Sequence, residues 1–174
     1  MMTPLHVFAY VVRPVGGGPY PLLIILVVIA MLIQFLIGGI VSVCNITIHA
    51  MVMTAVVSVA RVSATKSPHP SLLLIITMIA TVSVLMAAHV LEVIVWSLAY
   101  SIVDAAPAGT NLVYFAFVNY ATLGYGDVTP VEDWKLLGPI TAMNGALMFG
   151  WSTAVIFEVL QKTMKISADI AESG

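Results

Sequence analysis

The stretch Thr122-Leu123-Gly124-Tyr125-Gly126-Asp127 decides how this chain folds, and it lies between long apolar segments. In an ordinary β-strand the carbonyl groups point alternately to opposite sides. A strand that turns every carbonyl toward one axis therefore needs residues that tolerate positive φ at alternate positions. Gly124 and Gly126 tolerate it because they have no Cβ. The stretch thus predicts an irregular segment whose carbonyls all face the same way.

Carbonyls arranged in this way indicate a cation site. The carbonyl oxygens of Thr122, Leu123, Gly124 and Tyr125, with the Thr122 hydroxyl, would stack as rings of oxygen that replace the water around a dehydrated cation. Four strands are needed to close each ring, and this chain has the stretch once. The sequence therefore predicts an assembly of four copies.

The stretch resembles the selectivity filter of the potassium-channel pore-domain family, whose pattern is Thr-x-Gly-Tyr-Gly-Asp. Every fixed position is matched in residues 122–127, and the resemblance covers residues 111 to about 160. It implies a channel that conducts K⁺ passively, with K⁺ as the permeant ion and three further copies of the chain as partners. Leu123 replaces the commoner Val or Ile, and we expect this change to preserve selectivity.

The composition is that of a membrane protein. Of 174 residues, 61% are hydrophobic and 8% are charged, whereas a soluble domain has about 25% charged residues. The lipid bilayer is therefore an expected partner. A net charge of -2 gives no basis for binding nucleic acid. The single cysteine, Cys44, cannot form a disulfide within the chain.

The N-terminal part predicts a lead-in at residues 1–20 and an additional transmembrane helix at residues 21–62. A helix of about 40 residues would be roughly 60 Å long, against about 30 Å of hydrocarbon. Two arrangements are open: one span bent at Gly38-Gly39, or two short spans that meet at Ser42 to Asn45. The single bent helix is favoured because Ser-Val-Cys-Asn is a poor turn.

The following part, residues 71–162, predicts a pore domain, so the fold class is an all-α membrane protein. Asn111 to Ala121 would form a helix of roughly 16 Å, capped near Thr110 and too short to cross a bilayer. It must be re-entrant. The predicted segments are an outer helix at 71–103, the pore helix and filter at 111–127, an inner helix at 136–162 and a cytoplasmic tail at 163–174.

The basic residues predict the orientation of the chain in a cell membrane. Arg61 and Lys66 flank the start of one span, and Lys162 and Lys165 flank the end of the next. The positive-inside rule places this side in the cytoplasm. The filter mouth at Asp127 therefore faces the extracellular or periplasmic side, and the C-terminus is cytoplasmic.

His89 and Glu92 lie inside a predicted span, three residues apart and so on one helical face. A charge at mid-bilayer costs about 2.5 to 3.5 kcal/mol and needs a partner. We expect Glu92, with Asn119 and Asn144, to support the filter from behind the pore helix, either as a proton sensor or only as a packed polar network. A metal site is not expected, for want of further ligands. The partners considered for Glu92 are Asn119, Tyr120, Asn144 and His49.

The last span contains Gly145 and Gly150, a spacing similar to that of the hinge region in the family's inner helix. Gly145 is the hinge candidate, since glycine permits bending. Close helix packing is the alternative. The resemblance further implies a cavity and a cytoplasmic narrowing, whose residues would be Phe149, Thr153, Ala154 and, at the narrowing, Phe157.

The resemblance also implies that Tyr125 braces the filter against the pore helix. Where well-known members have a tryptophan pair, this chain has other aromatic residues. Where some relatives have a carboxylate behind the filter, it has Val118, so Asp127 would lack a proton-sharing partner. The aromatic residues of the predicted pore helix are Tyr114, Phe115 and Phe117.

A potassium-selective channel is the function that the sequence favours. A weakly selective cation channel and a non-conducting regulatory subunit of another channel are the alternatives. An intramembrane enzyme built on His89 and Glu92 is not expected, because no nucleophile accompanies them.

Overall fold

The computed structural model describes residues 21–64 and 70–172. The predicted lead-in at 1–20 and the basic residue Lys66 lie outside the described residues. In the described part, four α-helices and one 3-10 helix are present and no strand is found. They are α1 (Pro21–Ala64), α2 (Pro70–Ile102), α3 (Leu112–Tyr120), the 3-10 helix Glu132–Trp134, and α4 (Leu137–Glu172).

Three of the helices, among the described residues, are long and apolar enough to cross a membrane. The chain is therefore an all-helical, multi-pass membrane protein. Of the two arrangements left open for the N-terminal segment, the structure has the single helix, α1. Only 11% of its most apolar stretch is buried within the chain, which is the pattern of a helix surrounded by lipid.

The inner helix α4 is longer than the sequence analysis expected. The predicted helix ended at Lys162, whereas α4 continues to Glu172. Residues 163–172 contain no Gly or Pro to stop the helix. An ion pair between Glu158 and Lys162 lies on the turn just before these residues.

An aromatic core holds the short helix α3 between α2 and α4. The rings of Tyr100 and Phe115 lie 5.0 Å apart, and those of Trp96 and Tyr100 lie 5.9 Å apart. The Tyr100 hydroxyl lies 2.6 Å from Thr141 Oγ1 on α4. Ring packing thus joins α3 to α2, and a buried hydrogen bond joins α2 to α4 beside it.

The additional helix α1 packs closely against α4 near residue 38. A Cβ added to Gly38 would lie 2.8 Å from Ile140 Cγ2, so the helices approach closely there. One turn earlier, Gln34 Oε1 accepts a 2.9 Å hydrogen bond from the backbone N–H of Leu136. A second apolar cluster continues the contact toward the other end of α1 and comprises Met53, Val56, Leu85, Val155 and Val159.

We predict that Gly38→Val lowers the stability of the protein by about 1 to 3 kcal/mol, because the added side chain overpacks the contact with Ile140. Gly39→Val is the matched control, since nothing lies within 4 Å of a Cβ on Gly39. Thermal unfolding of the purified variants in detergent gives the comparison. Equal losses from both substitutions would contradict the close approach.

Candidate functional site

The short helix α3 begins one residue later than predicted. Asn111 is its N-cap, and the Asn111 side chain accepts a 3.1 Å hydrogen bond from the backbone N–H of Tyr114. The predicted cap at Thr110 and helix from Asn111 to Ala121 are therefore wrong at both ends. Asn111 is the cap in place of Thr110 because Asn is preferred over Thr at the N-cap position. With nine residues, α3 is about 14 Å long and cannot cross a bilayer.

The stretch after α3 has positive φ at every second residue. The angles are 58° at Thr122, 57° at Gly124 and 77° at Gly126. The two glycines adopt the conformation that the sequence predicts, and Thr122 adopts it without being a glycine. For a β-branched residue this conformation is strained. The backbone from Thr122 to Gly126 is accordingly neither helix nor regular strand.

The last turn of α3 holds the strained residue in place. The backbone N–H of Thr122 donates to Asn119 O, and the N–H of Leu123 donates to Val118 O, both at 3.0 Å. These bonds use carbonyls that a helix end otherwise leaves unpaired. The position of α3 therefore sets where the stretch begins.

The stretch is exposed along its whole length, from Thr122 to Asp127. Leu123 is 50% exposed and Tyr125 is 66% exposed. Irregular backbone at membrane depth is tolerated only where protein or a water-filled space covers it. The described residues leave this backbone open.

At the far end of the stretch, Asp127 has a partner that the sequence analysis missed. The Tyr114 hydroxyl donates a 2.8 Å hydrogen bond to Asp127 Oδ2. This bond, together with the negative charge of the carboxylate, raises the pKa of Tyr114. The sequence analysis expected only that Asp127 lacks a proton-sharing carboxylate, because Val118, which is buried inside the chain, stands at that position. The hydrogen bond from Tyr114 is a different contact. No sequence signal pairs residues thirteen apart.

Five buried side chains form a polar cluster at the C-terminal end of α3, with Glu92 at its centre: His49, His89, Glu92, Tyr120 and Ser152. Glu92 is fully buried. Its Oε1 lies 2.6 Å from His49 Nδ1 and its Oε2 lies 3.3 Å from His89 Nδ1. The Tyr120 hydroxyl donates to the same Oε2.

Glu92 therefore reaches the end of the pore helix directly. Two of the four partners considered from the sequence, His49 and Tyr120, contact its carboxylate. Tyr120 is the last residue of α3 and is followed by Ala121 and Thr122. The polar cluster thus connects α1, α2 and α4 to the last residue of α3, two residues before Thr122.

Asn144, another predicted support residue, bonds elsewhere. Its Oδ1 accepts hydrogen bonds from Asn45 Nδ2 at 3.2 Å and from Trp96 Nε1 at 3.0 Å. Asn45 Nδ2 also lies 3.3 Å from the backbone oxygen of Glu92. Asn144 therefore joins α1, α2 and α4 by hydrogen bonds that do not involve the Glu92 carboxylate.

Asn119 contacts the irregular stretch through its backbone. Its carbonyl receives the Thr122 N–H, and its side-chain Nδ2 donates to the Tyr100 hydroxyl at 3.4 Å. The side chain thus faces α2. Support of the filter by Glu92, Asn119 and Asn144 stays a prediction, now with defined contacts.

Gly145 lies where α4 meets the end of α3. A Cβ on Gly145 would overlap the carbonyl oxygen of Tyr120 and would lie 3.2 Å from Tyr120 Cγ. Nothing lies within 4 Å of a Cβ on Gly150. This is the geometry expected of the packing alternative for Gly145, and the hinge role stays a prediction.

One face of α4 is left uncovered by the chain. Gly150, Thr153 and Phe157 are exposed on it, Phe157 by 59%. Phe149, 39% exposed, begins this face and also packs on His89, with ring centroids 4.6 Å apart. These are the residues predicted to line a cavity, together with Ala154, which is also exposed.

The polar cluster contains a set of potential metal ligands that the sequence analysis did not expect. One ligand atom from each of His49, His89 and Glu92 can be chosen so that all lie within 4.8 Å of one another. The stated reason against a metal site, the lack of further ligands, was wrong because α1 brings His49 to the pair on α2.

A comparison with protein families gives one match. A family model described as an ion channel matches residues 74–162. The chain belongs to this ion-channel family. The matched region contains most of α2, all of α3, the irregular stretch and much of α4, and it leaves α1 outside. The resemblance seen in the sequence is thereby confirmed at the level of an ion channel. No curated protein and no solved structure matches the chain.

We predict that Gly145→Ala destabilises the protein by about 1 to 3 kcal/mol, because the added methyl group overlaps the backbone of Tyr120 and displaces α3. Gly150→Ala is the control, since its site is open in the chain. Thermal unfolding in detergent distinguishes them. A Gly145→Ala protein as stable as the control would rule out this contact.

Proposed function

We propose that the chain is a potassium-selective channel that conducts K⁺ passively as a homotetramer. The observation that carries this proposal is the alternation of positive φ at Thr122, Gly124 and Gly126 in an exposed, irregular stretch of an ion-channel family member. Rings of backbone carbonyls are the means by which K⁺ channels replace the hydration shell of the ion.

In this proposal K⁺ binds to oxygens of Thr122, Leu123, Gly124 and Tyr125. The residues on either side contribute electrostatically. The C-terminal end of α3 carries the negative half of its helix dipole toward the lower end of the filter. Asp127, held by Tyr114, places a carboxylate at the mouth, which faces the extracellular or periplasmic side.

Three further copies of the chain provide the cover that the exposed surfaces need. The filter stretch and the open face of α4 are both uncovered in one chain. Around a fourfold axis, the stretches would face one another across the ions and the α4 faces would enclose a cavity below them. Phe149, Thr153 and Phe157 then line the conduction path, with the cytoplasmic C-terminus beyond.

We predict that the purified chain, reconstituted alone in bilayers, gives currents whose reversal potential in mixed K⁺ and Na⁺ lies near the K⁺ equilibrium potential. Gly126→Ala should abolish this selectivity, because the residue has a φ of 77° that alanine adopts only with strain. Gly109→Ala is the matched control: its φ is 82° and it lies outside the filter.

The same recordings separate the alternative functions. A reversal potential that follows K⁺ and Na⁺ equally would indicate a weakly selective cation channel. Silent bilayers, with a tetramer present, would indicate a non-conducting regulatory subunit. Either result would contradict the proposal.

We predict that Glu92→Gln lowers the selectivity for K⁺ over Na⁺, because one amide oxygen replaces a carboxylate that contacts His49, His89 and Tyr120. The pore helix then loses part of its anchor. Glu158→Gln is the control for removing a carboxylate from a membrane helix.

Recording both variants across pH tests the proton-sensor hypothesis as well. Loss of a pH response only in Glu92→Gln would support it, and an unchanged response would leave Glu92 a packing role. Unchanged selectivity in Glu92→Gln would contradict the support role.

A further inference from the structure

The two histidines of the polar cluster share one orientation. Both Nδ1 atoms face the Glu92 carboxylate, at 2.6 Å for His49 and 3.3 Å for His89. Both Nε2 atoms face the hydroxyl of Ser152, at 3.2 Å and 3.0 Å. A single carboxylate and a single hydroxyl are thus placed at opposite edges of two imidazole rings.

The protons available do not satisfy this arrangement. With neutral imidazoles, the two rings, Ser152 and Tyr120 supply one proton each, four in all, and Glu92 supplies none. Six close contacts join the five side chains. Because one N–H can be shared between Glu92 and Tyr120, at least one contact, and not every one, places one lone pair against another. Facing lone pairs inside a membrane are unfavourable unless an additional proton or a metal cation satisfies them.

We propose that this cluster binds a divalent transition-metal cation of the zinc type. His49 Nδ1, His89 Nδ1 and a Glu92 carboxylate oxygen are three ligands, and Tyr120 Oη, 3.0 Å from His89 Nδ1, is the fourth as a phenolate whose proton is released to solvent when the metal binds. Two nitrogens and two oxygens suit Zn²⁺. Bonds of 2.0 to 2.1 Å in a tetrahedron separate neighbouring ligands by about 3.3 Å. The pairs His49–Glu92, His89–Glu92 and His89–Tyr120, at 2.6 to 3.3 Å, reach this spacing with small outward shifts. Tyr120 Oη and Glu92 Oε2, which are in direct contact, have to separate further.

Ser152 completes the site without binding the metal. Imidazoles that bind a metal through one nitrogen usually donate the other N–H to an oxygen, which fixes the ring. Ser152 Oγ can accept from both Nε2 atoms, and this leaves both Nδ1 lone pairs directed at the cation. Metal binding through both Nδ1 atoms requires the Nε2–H tautomer of both rings, and Ser152 stabilises that tautomer by accepting from both Nε2–H groups.

The proposed metal site joins the additional helix to the part of the chain that the ion-channel family model matches. His49 lies on α1, outside the matched family region, whereas His89, Glu92 and Tyr120 lie inside it. A closed, four-ligand site is structural rather than catalytic. Bound Zn²⁺ would therefore fix α1 to α2 and to the end of the pore helix. This role does not depend on which ion the pore conducts.

Co²⁺ binding to the purified tetramer in detergent tests the proposal. The protein is the full chain with Cys44→Ser and no histidine tag, so that neither a thiol nor a tag binds the metal. We expect visible absorption of four-coordinate Co²⁺ at about one ion per chain, displaced by Zn²⁺, which binds more tightly. Zn²⁺ should also raise the unfolding temperature, since it binds the folded state.

Variants assign the site. His49→Gln, His89→Gln and Glu92→Gln should each lose the absorption, and Ser152→Ala should weaken Co²⁺ binding by about 10-fold to 100-fold. His6→Gln and His69→Gln, at the other two histidines of the chain, should leave binding unchanged. Circular dichroism and elution as a tetramer show whether each variant is folded.

The unsubstituted cluster gives the decisive result. If the Cys44→Ser protein shows neither the absorption nor a shift with Zn²⁺, the cluster is completed by a proton and the metal proposal is wrong. Absorption that persists in His49→Gln and His89→Gln would place the metal elsewhere and would equally overturn it. Both measurements read binding and not current, so they stand apart from the test of potassium conduction.

Discussion

The interaction on which the structure depends is that between the Glu92 carboxylate and the Tyr120 hydroxyl. Glu92 lies within a membrane-spanning helix and is fully buried. A charge in this position is costly unless other groups satisfy it. Its partners come from α1, α2 and α3, so the need to satisfy one carboxylate holds three helices at a common depth.

The same interaction bears on the backbone of the irregular stretch that follows α3. Thr122 adopts a strained positive φ that persists only if its surroundings impose it. Its backbone N–H is fixed by Asn119, one residue before the tyrosine that Glu92 holds. On the opposite side, Gly145 lets α4 contact the Tyr120 carbonyl. The strained residue thus follows a helix end that is held from two directions.

Much of this could be predicted from the sequence because the signals are local. Two glycines at alternate positions give the backbone of the stretch, and an apolar segment of nine to eleven residues is too short to be a span. The tertiary contacts could not be predicted in the same way. Tyr114 meets Asp127 because the chain reverses direction after α3, and His49 meets Glu92 across 43 residues. Nothing in the hydrophobic pattern encodes either contact.

The rotation of α1 shows why hydrophobicity fails here. Apolar residues surround this helix on all sides, and lipid is as apolar as they are, so burial gives α1 no preferred face. The small and polar residues of α1 determine which face packs against the other helices. Asn45 and His49 are four apart and both fully buried, and Gly38 and Gln34 continue the same face toward α4. A membrane helix of this kind is oriented by the few groups that cannot face lipid. In α1 these groups include His49, which belongs to the polar cluster at the end of α3.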